Sequence, residues 1–360
     1  MKIVRIEDLK VGTIVSKDMF NESGNLMLSS GTVIDQNHIN YFLSHGIENM
    51  LVDEEPEANE AISPAHGAYE NLRVLYRSAL DEAKKMHSTV FQGNQIDLDA
   101  ICDIVSTGVE VTKTEENVLR ILRSVSQGED YLFSHPVNVS ILASKMAIWL
   151  GYDPLLAALA GIFHDIGKAK VKSQLFYKTT PLEAGELDQI KEHAMFGYDV
   201  LKKAFSGIMD GTVRHKHITP QYAKEILRTT IEHHERETGT GYPFGLNSEN
   251  ISFYSKIISV ADVFDAITSD RHYREGASPY VAFRIMQEEA FRGLNAQITQ
   301  VFLDKIARYF VGNKVRLSDG RHGEVVYLNK NDPNHPLVKC GQEFVDLSTN
   351  YSITIDEVLE

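Results

Sequence analysis

The chain has 360 residues, 43% of them hydrophobic and 24% charged, with a formal net charge of −14. This is the composition of an ordinary globular protein and excludes a disordered, collagen-like or membrane-bundle chain, while the acidic balance argues against broad electrostatic attachment to nucleic acid or anionic lipid. Cys102 and Cys340 lie far apart and form no disulfide framework or ligand-like pair, which points to a reducing, cytoplasmic setting.

The opening MKIVRIEDLK interleaves charges with aliphatics and has no uninterrupted apolar run of the kind a signal peptide needs. Residues 1–53 alternate short aliphatic runs with Gly12, Asn21, Gly24, Gly31 and Gly46, predicting a small β-containing module with a helix over 38–43. DEEPEANE, residues 53–60, shifts the composition abruptly and reads as a solvated linker at the head of a helical connector, 54–112. In that connector Leu72, Leu75, Tyr76 and Leu80, then Ile101, Ile104 and Val105, recur at helical spacing, with breaks expected near Asn94 and Gly108.

Residues 113–312 read as an α-helical domain, with helices expected over 131–150, 154–164, 183–205, 221–235 and 249–269. The most apolar stretch, 155–163, is too short to span a bilayer. After Gly312 the pattern changes to KVRLSDGRHGEVVYLN and PLVKCGQEFVDLS, a hairpin signal at Asp319–Gly320 followed by further strands. Residues 313–360 therefore form a second small β module. The fold class is mainly α: a helical bundle flanked by an amino-terminal β-containing and a carboxy-terminal β module.

His135, His164, His193, His233 and His234 fall in the helical region, and several stand beside acids: His164-Asp165 in AGIFHDIGK, and Asp262 further on in SVADVFDA. A lone histidine on a helix is more often a satisfied core or surface residue than a ligand. The set is harder to dismiss, because an unpaired Asp165 inside an apolar run is costly to bury. Imidazole and carboxylate together suit iron or manganese, and zinc less exclusively, and a carboxylate can bridge two ions.

HDIGK, KEHAMFGYDVL, HHERETGTGYPFGL and ADVFDAITSDRHYR resemble successive blocks of the HD-GYP phosphodiesterases, an HD-superfamily branch that hydrolyses the bacterial second messenger cyclic di-GMP. The resemblance covers roughly 115–311. It implies a helical HD-type bundle with two divalent transition metal ions, iron or manganese in the first place and zinc, nickel or magnesium as substitutes. It places His193, His233 and His234 on one ion, His135, His164 and Asp262 on the other, and Asp165 between them. Some family members carry a glutamate one turn before the first histidine that supports a third ion. Tyr131 stands there, so a binuclear centre is expected, with Glu129 or Asp130 as acids that can swing in.

The implied reaction is hydrolysis of cyclic di-GMP to pGpG, and onward to GMP, through a metal-bridging hydroxide, with Asp165 and Lys168 as catalytic residues. Lys168, Arg271 and Arg274 match positions that contact phosphate; Gly241, Tyr242 and Pro243 match a loop lining the substrate, with Tyr242 able to pack on a guanine face. Asp265 is expected to meet a basic residue or the leaving group. The stretch 205–220, containing RHKHIT, separates His193 from His233 by more than the family pattern, and His215 and His217 are expected as solvated loop residues. Two other readings stay open: a phosphodiesterase for another cyclic dinucleotide such as cyclic GMP-AMP, and a cyclic-dinucleotide receptor without turnover. DNA, RNA and membrane partners are not expected; a homodimer or a signalling partner through the terminal modules is.

Overall fold

The structure is a computed structural model that describes residues 2–6, 13, 19–20, 26–28, 34, 38–39, 42, 49–52, 64–114, 118, 122, 126, 129–270, 276–277, 279–307, 311–329 and 332–359. Two compact units emerge: Met1–Ile62 with Ser278–Val281 and Leu303–Glu360, and Ser63–Ala277 with Ala282–Phe302. The stretch 53–60 read as a linker lies outside the described residues.

In the first unit, strand β1 (Lys2–Arg5) pairs antiparallel with β4 (Asn49–Val52), and β2 (Met19–Phe20) with β3 (Leu26–Leu28). At the carboxy end, β5 (Lys314–Leu317), β6 (His322–Asn329), β7 (Asp332–Cys340), β8 (Glu343–Asp346) and β9 (Ile355–Leu359) form an antiparallel sheet of order β8-β7-β6-β5-β9. The hairpin expected at Asp319–Gly320 joins β5 to β6. Gly320 takes φ +85°, the left-handed conformation that favours glycine. Val315, Leu317, Val325, Val338 and Leu347 face inward, as strand alternation requires.

The second unit is helical: α1 (Pro64–Phe91), α2 (Asp99–Thr114), α3 (Tyr131–Leu150), α4 (Pro154–Phe163), α5 (Ala184–Lys191), α6 (His193–Ala204), the single turn α7 (Ser206–Met209), α8 (Pro220–Glu232) and α9 (Phe253–Thr268). Helices α10 (Pro279–Arg292) and α11 (Ala296–Ile306) follow. Among the described residues no helix is long and apolar enough to cross a membrane. Side-chain caps set several helix starts: Asp130 accepts from Leu132 N, Asp153 from Leu155 N and Leu156 N, Thr219 from Tyr222 N, and Ser252 from Tyr254 N.

Helices α3 and α4 pack closely because α4 is lined with small residues. A Cβ on Gly161 would lie 2.7 Å from Ser140 Cα, and Ser140 Oγ donates to the Ala158 carbonyl at 2.8 Å. Gly167, in the 3-10 turn Ile166–Lys170, lies against Gly197 of α6; a Cβ there would be 1.9 Å from the His193 carbonyl oxygen. These two contacts draw α3, α4 and α6 together around one buried polar pocket.

Several boundaries differ from the sequence reading, and the differences have one physical sense. The helix expected over 183–205 breaks at Glu192, so His193 opens α6. That expected over 221–235 stops at Glu232, and that expected over 154–164 stops at Phe163. Adjacent residues on a continuous helix point about 100° apart; ending the helices here lets His164 with Asp165, and His233 with His234, converge. Gly108, expected at a break, sits inside α2. His215 and His217 are not solvated: their side chains are 7% and 12% exposed and face acids of α2, His215 Nε2 at 3.2 Å from Asp99 and His217 Nε2 at 2.5 Å from Asp103. Lys216 adds a 2.6 Å contact to Asp103, so the stretch 205–220 is pinned to the connector.

Candidate metal centre

The structure gathers all seven histidine and aspartate side chains singled out as ligands. Asp165, His193, His233 and His234 form one group and His135, His164 and Asp262 another, with the ligand atoms of each group within 4.8 Å of one another. His135 and Asp262 project from the interiors of α3 and α9, and the other five from helix ends. Asp165 stands between the groups. Its Oδ2 lies 3.4 Å from His135 Nε2 and 3.2 Å from His164 Nε2, and its Oδ1 lies 3.3 Å from His193 Nε2 and 3.8 Å from His233 Nε2.

Hydrogen bonds fix the imidazole tautomers. Nδ1 of His164 faces the Gly161 carbonyl at 2.6 Å, Nδ1 of His193 the Ile190 carbonyl at 2.6 Å, and Nδ1 of His233 the Thr230 carbonyl at 2.9 Å. A carbonyl oxygen only accepts, so each Nδ1 carries a proton and each Nε2 turns a lone pair into the pocket. His193 Nε2 and His233 Nε2 then face each other at 3.3 Å as two lone pairs. Burial, with neighbouring histidines, lowers the pKa of His233 and His234, and burial lowers that of His193. For His135 burial works the other way from its hydrogen bonds to Asp262 and Asp265, which win and raise it to about 9.

The residues fit a metal ion. Nε2 of His164 and Oδ1 of Asp165 are buried without a hydrogen-bond partner, although oxygens or lone pairs surround each. Buried polar atoms are otherwise paired almost without exception. Convergent lone pairs and carboxylate oxygens make a pocket that suits a cation. Burial opposes ionisation of Asp165 and Asp262, but neighbouring histidines, with Lys168 beside Asp165, outweigh it and hold both well below the ordinary carboxylate range.

Residues 132–295 match the HD domain family, a span that contains every member of both groups. The chain thus contains a stretch similar to HD domains. It is 32% identical over 285 residues to a cyclic di-GMP phosphodiesterase of Pseudomonas aeruginosa, covering 77% of this chain and 65% of that protein. A cyclic di-GMP phosphodiesterase of Thermotoga maritima is 30% identical over 200 residues, covering 51% of this chain and 50% of the relative. A 3'3'-cGAMP-specific phosphodiesterase of Vibrio cholerae is 29% identical over 170 residues, covering 46% and 34%. The chain thus spans between a third and two-thirds of the length of these relatives.

The remaining residues singled out in the sequence differ in their placement. Lys168 ion-pairs with Asp165 Oδ2 and so lies at the centre. Tyr242 stacks on His234, with ring centroids 4.6 Å apart, precedes Pro243 through a cis peptide bond, and has the ammonium of Lys191 5.6 Å from its ring centre. Gly241 is the close approach of this loop to the chain after the histidine pair, where a Cβ would lie 2.4 Å from Glu235 Cα. Asp265 meets a basic side chain, as expected, and it is a histidine of the centre: its Oδ2 accepts from His135 Nδ1 at 2.6 Å. Arg271 and Arg274 lie outside the described residues.

Tyr131 stacks on His135, with centroids 4.8 Å apart. Both neighbouring acids are engaged elsewhere: Asp130 caps α3 and accepts from Tyr177 at 2.9 Å, and Glu129 pairs with Lys84 at 3.5 Å.

Sequence reasoning missed Glu235 and Lys191. Glu235 is buried, and its two oxygens accept the backbone amides of Phe244 at 2.7 Å and Leu246 at 2.8 Å. It thereby holds the loop that carries Tyr242. The signal was an acid directly after two histidines. Glu235→Ala leaves two amides without their acceptor, at a cost of about 2–3 kcal/mol localised to the loop. Amide hydrogen exchange at Phe244 and Leu246 is expected to rise by about tenfold or more, with α3 and α9 unaffected; unchanged exchange there contradicts the role given to Glu235.

Proposed function

We propose that the chain is a metal-dependent phosphodiesterase that hydrolyses cyclic di-GMP to pGpG, and onward to GMP, at a centre of two divalent ions, iron or manganese. The observation that carries this reading is the Asp165 carboxylate, which turns one oxygen to each histidine group. His193, His233 and His234 would hold one ion, His135, His164 and Asp262 the other, and Asp165 both. The engagement of Glu129 and Asp130 elsewhere, with Tyr131 at the third position, supports two ions rather than three. The names of the relatives from Pseudomonas aeruginosa and Thermotoga maritima support the substrate.

Charge supports the same stoichiometry. Asp165, Asp262 and Asp265 are buried with Lys168 as the nearby cation; with every histidine neutral, as a metal ligand must be, this is an excess of two negative charges that repels a phosphodiester. Two divalent ions reverse it to an excess of two positive charges, which matches the two phosphates of a cyclic dinucleotide. Bound there, the ions would supply Lewis acidity, making a water more acidic and offsetting charge on the phosphoryl oxygens.

The side chains do the rest. Asp165 fixes the spacing of the two pockets, and Lys168 sets an ammonium beside it where a non-bridging oxygen gains charge. Tyr242 and Pro243 wall the approach, held there by Glu235, and Arg271 and Arg274 contribute phosphate contacts.

A substrate panel tests the reading. Manganese-loaded protein is incubated with cyclic di-GMP, 3'3'-cGAMP and pGpG, and products are resolved by chromatography. Faster turnover of cyclic di-GMP supports the assignment. Preference for 3'3'-cGAMP, the substrate named for the Vibrio cholerae relative, retains the chemistry and overturns the base specificity.

A further inference from the structure

Three histidines of the centre are anchored at Nδ1 by a backbone carbonyl three residues earlier, which a helix holds rigidly. His135 differs. Its Nδ1 donates to a side chain, Asp265 Oδ2, at 2.6 Å. A carboxylate is only as fixed as the donors around it, and those of Asp265 form a chain. Asp265 Oδ1 accepts from Asn138 Nδ2 at 2.8 Å and from Ser269 Oγ at 2.9 Å. Asn138 Oδ1 in turn accepts from the Tyr76 hydroxyl at 2.9 Å.

Every direction in this relay is determined. The carboxylate only accepts, so Asn138 must present its amide nitrogen to Asp265 and its oxygen to Tyr76, which must donate. Tyr76, Asn138, His135 and Asp265 are all buried, so water does not compete for these bonds. Burial, with the nearby Asp265 charge, raises the pKa of the Tyr76 hydroxyl, which stays protonated and remains a donor. Tyr76 belongs to α1, outside the matched HD domain span of 132–295. Helix α1 also packs on the 3-10 turn Ile166–Lys170 that follows Asp165.

We propose that Tyr76 is a positioning residue for the metal centre: through Asn138 and Asp265 it fixes the orientation of His135, so that connector helix α1 tunes the pocket formed by His135, His164 and Asp262. Without the Tyr76 hydroxyl the Asn138 amide loses the partner that sets its orientation. Asp265 then keeps Ser269 but loses the ordered donor Asn138, and the His135 ring is held less firmly about its last bond. The second pocket is built on His193 and His233, which backbone carbonyls anchor independently of this relay. The proposal rests on the reading of the two groups as metal pockets.

The test uses the full chain, stripped of metal and titrated with manganese against a chromophoric chelator, for the wild type, Tyr76→Phe, Asp265→Asn and the double variant. Asn138→Ala cuts the relay independently should Asp265→Asn not fold. Tyr76→Phe keeps the ring that fills the core. It is expected to weaken one of two manganese sites by about three- to tenfold, below the 10–100-fold typical of a direct partner of a ligand, and to leave the other unchanged. In the Asp265→Asn or Asn138→Ala background the same substitution is expected to add nothing, because the route is already cut.

Two sites in the wild type with unchanged affinities in Tyr76→Phe would overturn the proposal. So would weakening of both sites alike, or weakening that persists in the Asp265→Asn and Asn138→Ala backgrounds, since a general loss of packing acts that way. Wild-type protein that binds no manganese would sink the metal-pocket reading itself, and the proposal with it.

Discussion

Asp165→Ala is expected to lower hydrolysis of cyclic di-GMP by at least about 10³-fold, because it removes the carboxylate that faces two histidines of each pocket. Oδ2 of Asp165 faces His135 and His164 while Oδ1 faces His193 and His233. Asp262 also turns one oxygen to each group, at 3.0 Å from His135 Nε2 and 3.8 Å from His234 Nδ1, but Asp165 faces two histidines on each side. Loss of a single terminal ligand leaves the second pocket whole; loss of Asp165 opens both, and bound metal is expected to fall below one ion per chain. The same substitution removes a buried charge and frees Lys168, so the metal-free fold is expected to survive. Activity and metal content on one preparation, with circular dichroism as the check on folding, decide the matter. Retention of two ions and of turnover by Asp165→Ala would overturn the bridging role.

Gly167→Ala is expected to destabilise the helical unit by about 3 kcal/mol or more, since overpacking against unyielding atoms is at the costly end of such changes. The added Cβ would meet the His193 carbonyl at 1.9 Å and the Gly197 amide nitrogen at 2.4 Å, both backbone atoms that cannot rotate aside. For a domain of this size the loss corresponds to a fall of about 6–12 °C in melting temperature. Because the collision pushes α6 away from the turn after Asp165, His193 is displaced and metal binding weakens with it. Gly108→Ala is the control. Gly108 lies within α2, and a methyl group added there would meet nothing within 4 Å, so alanine is expected to be neutral or to stabilise by up to about 1 kcal/mol. Equal melting temperatures for the two variants would contradict the close approach of Gly167 to α6.

The residues that make up the centre were legible because each breaks a rule of its surroundings. His164 and Asp165 interrupt an apolar run, and Asp262 sits on the buried face of a helix whose neighbours are Ile258, Val260 and Ala261. A charge in such a place needs a partner, and the sequence shows the charge. The helical bundle and the carboxy-terminal hairpin were legible for a related reason, since periodicity and an Asp-Gly turn are local signals.

What was not legible depends on where separate segments meet. Helix ends at Phe163 and Glu232 are set by the convergence of side chains from five segments, while local propensity favours continuation by a residue or more. Asp265 was expected to meet a basic residue or the leaving group, and which residue it meets was not legible. Its partners His135 and Asn138 lie 130 and 127 residues away, and only the packing of α3 against α9 brings them to it. His215 and His217 were expected in solvent because their stretch is polar, yet Asp99 and Asp103, one turn apart on α2, receive them. Tyr76 looked like one more apolar position of an amphipathic helix, and nothing local marks its hydroxyl as the end of a relay leading to His135.

The most direct test of the central claim is a time course on cyclic di-GMP by anaerobically purified protein whose metal content is measured on the same sample, with His164→Ala in parallel. The account predicts about two iron or manganese ions per chain and accumulation of pGpG, with about one ion and no pGpG in His164→Ala. Tight binding of the nucleotide by metal-loaded protein with no product over the course would contradict it and identify the chain as a receptor.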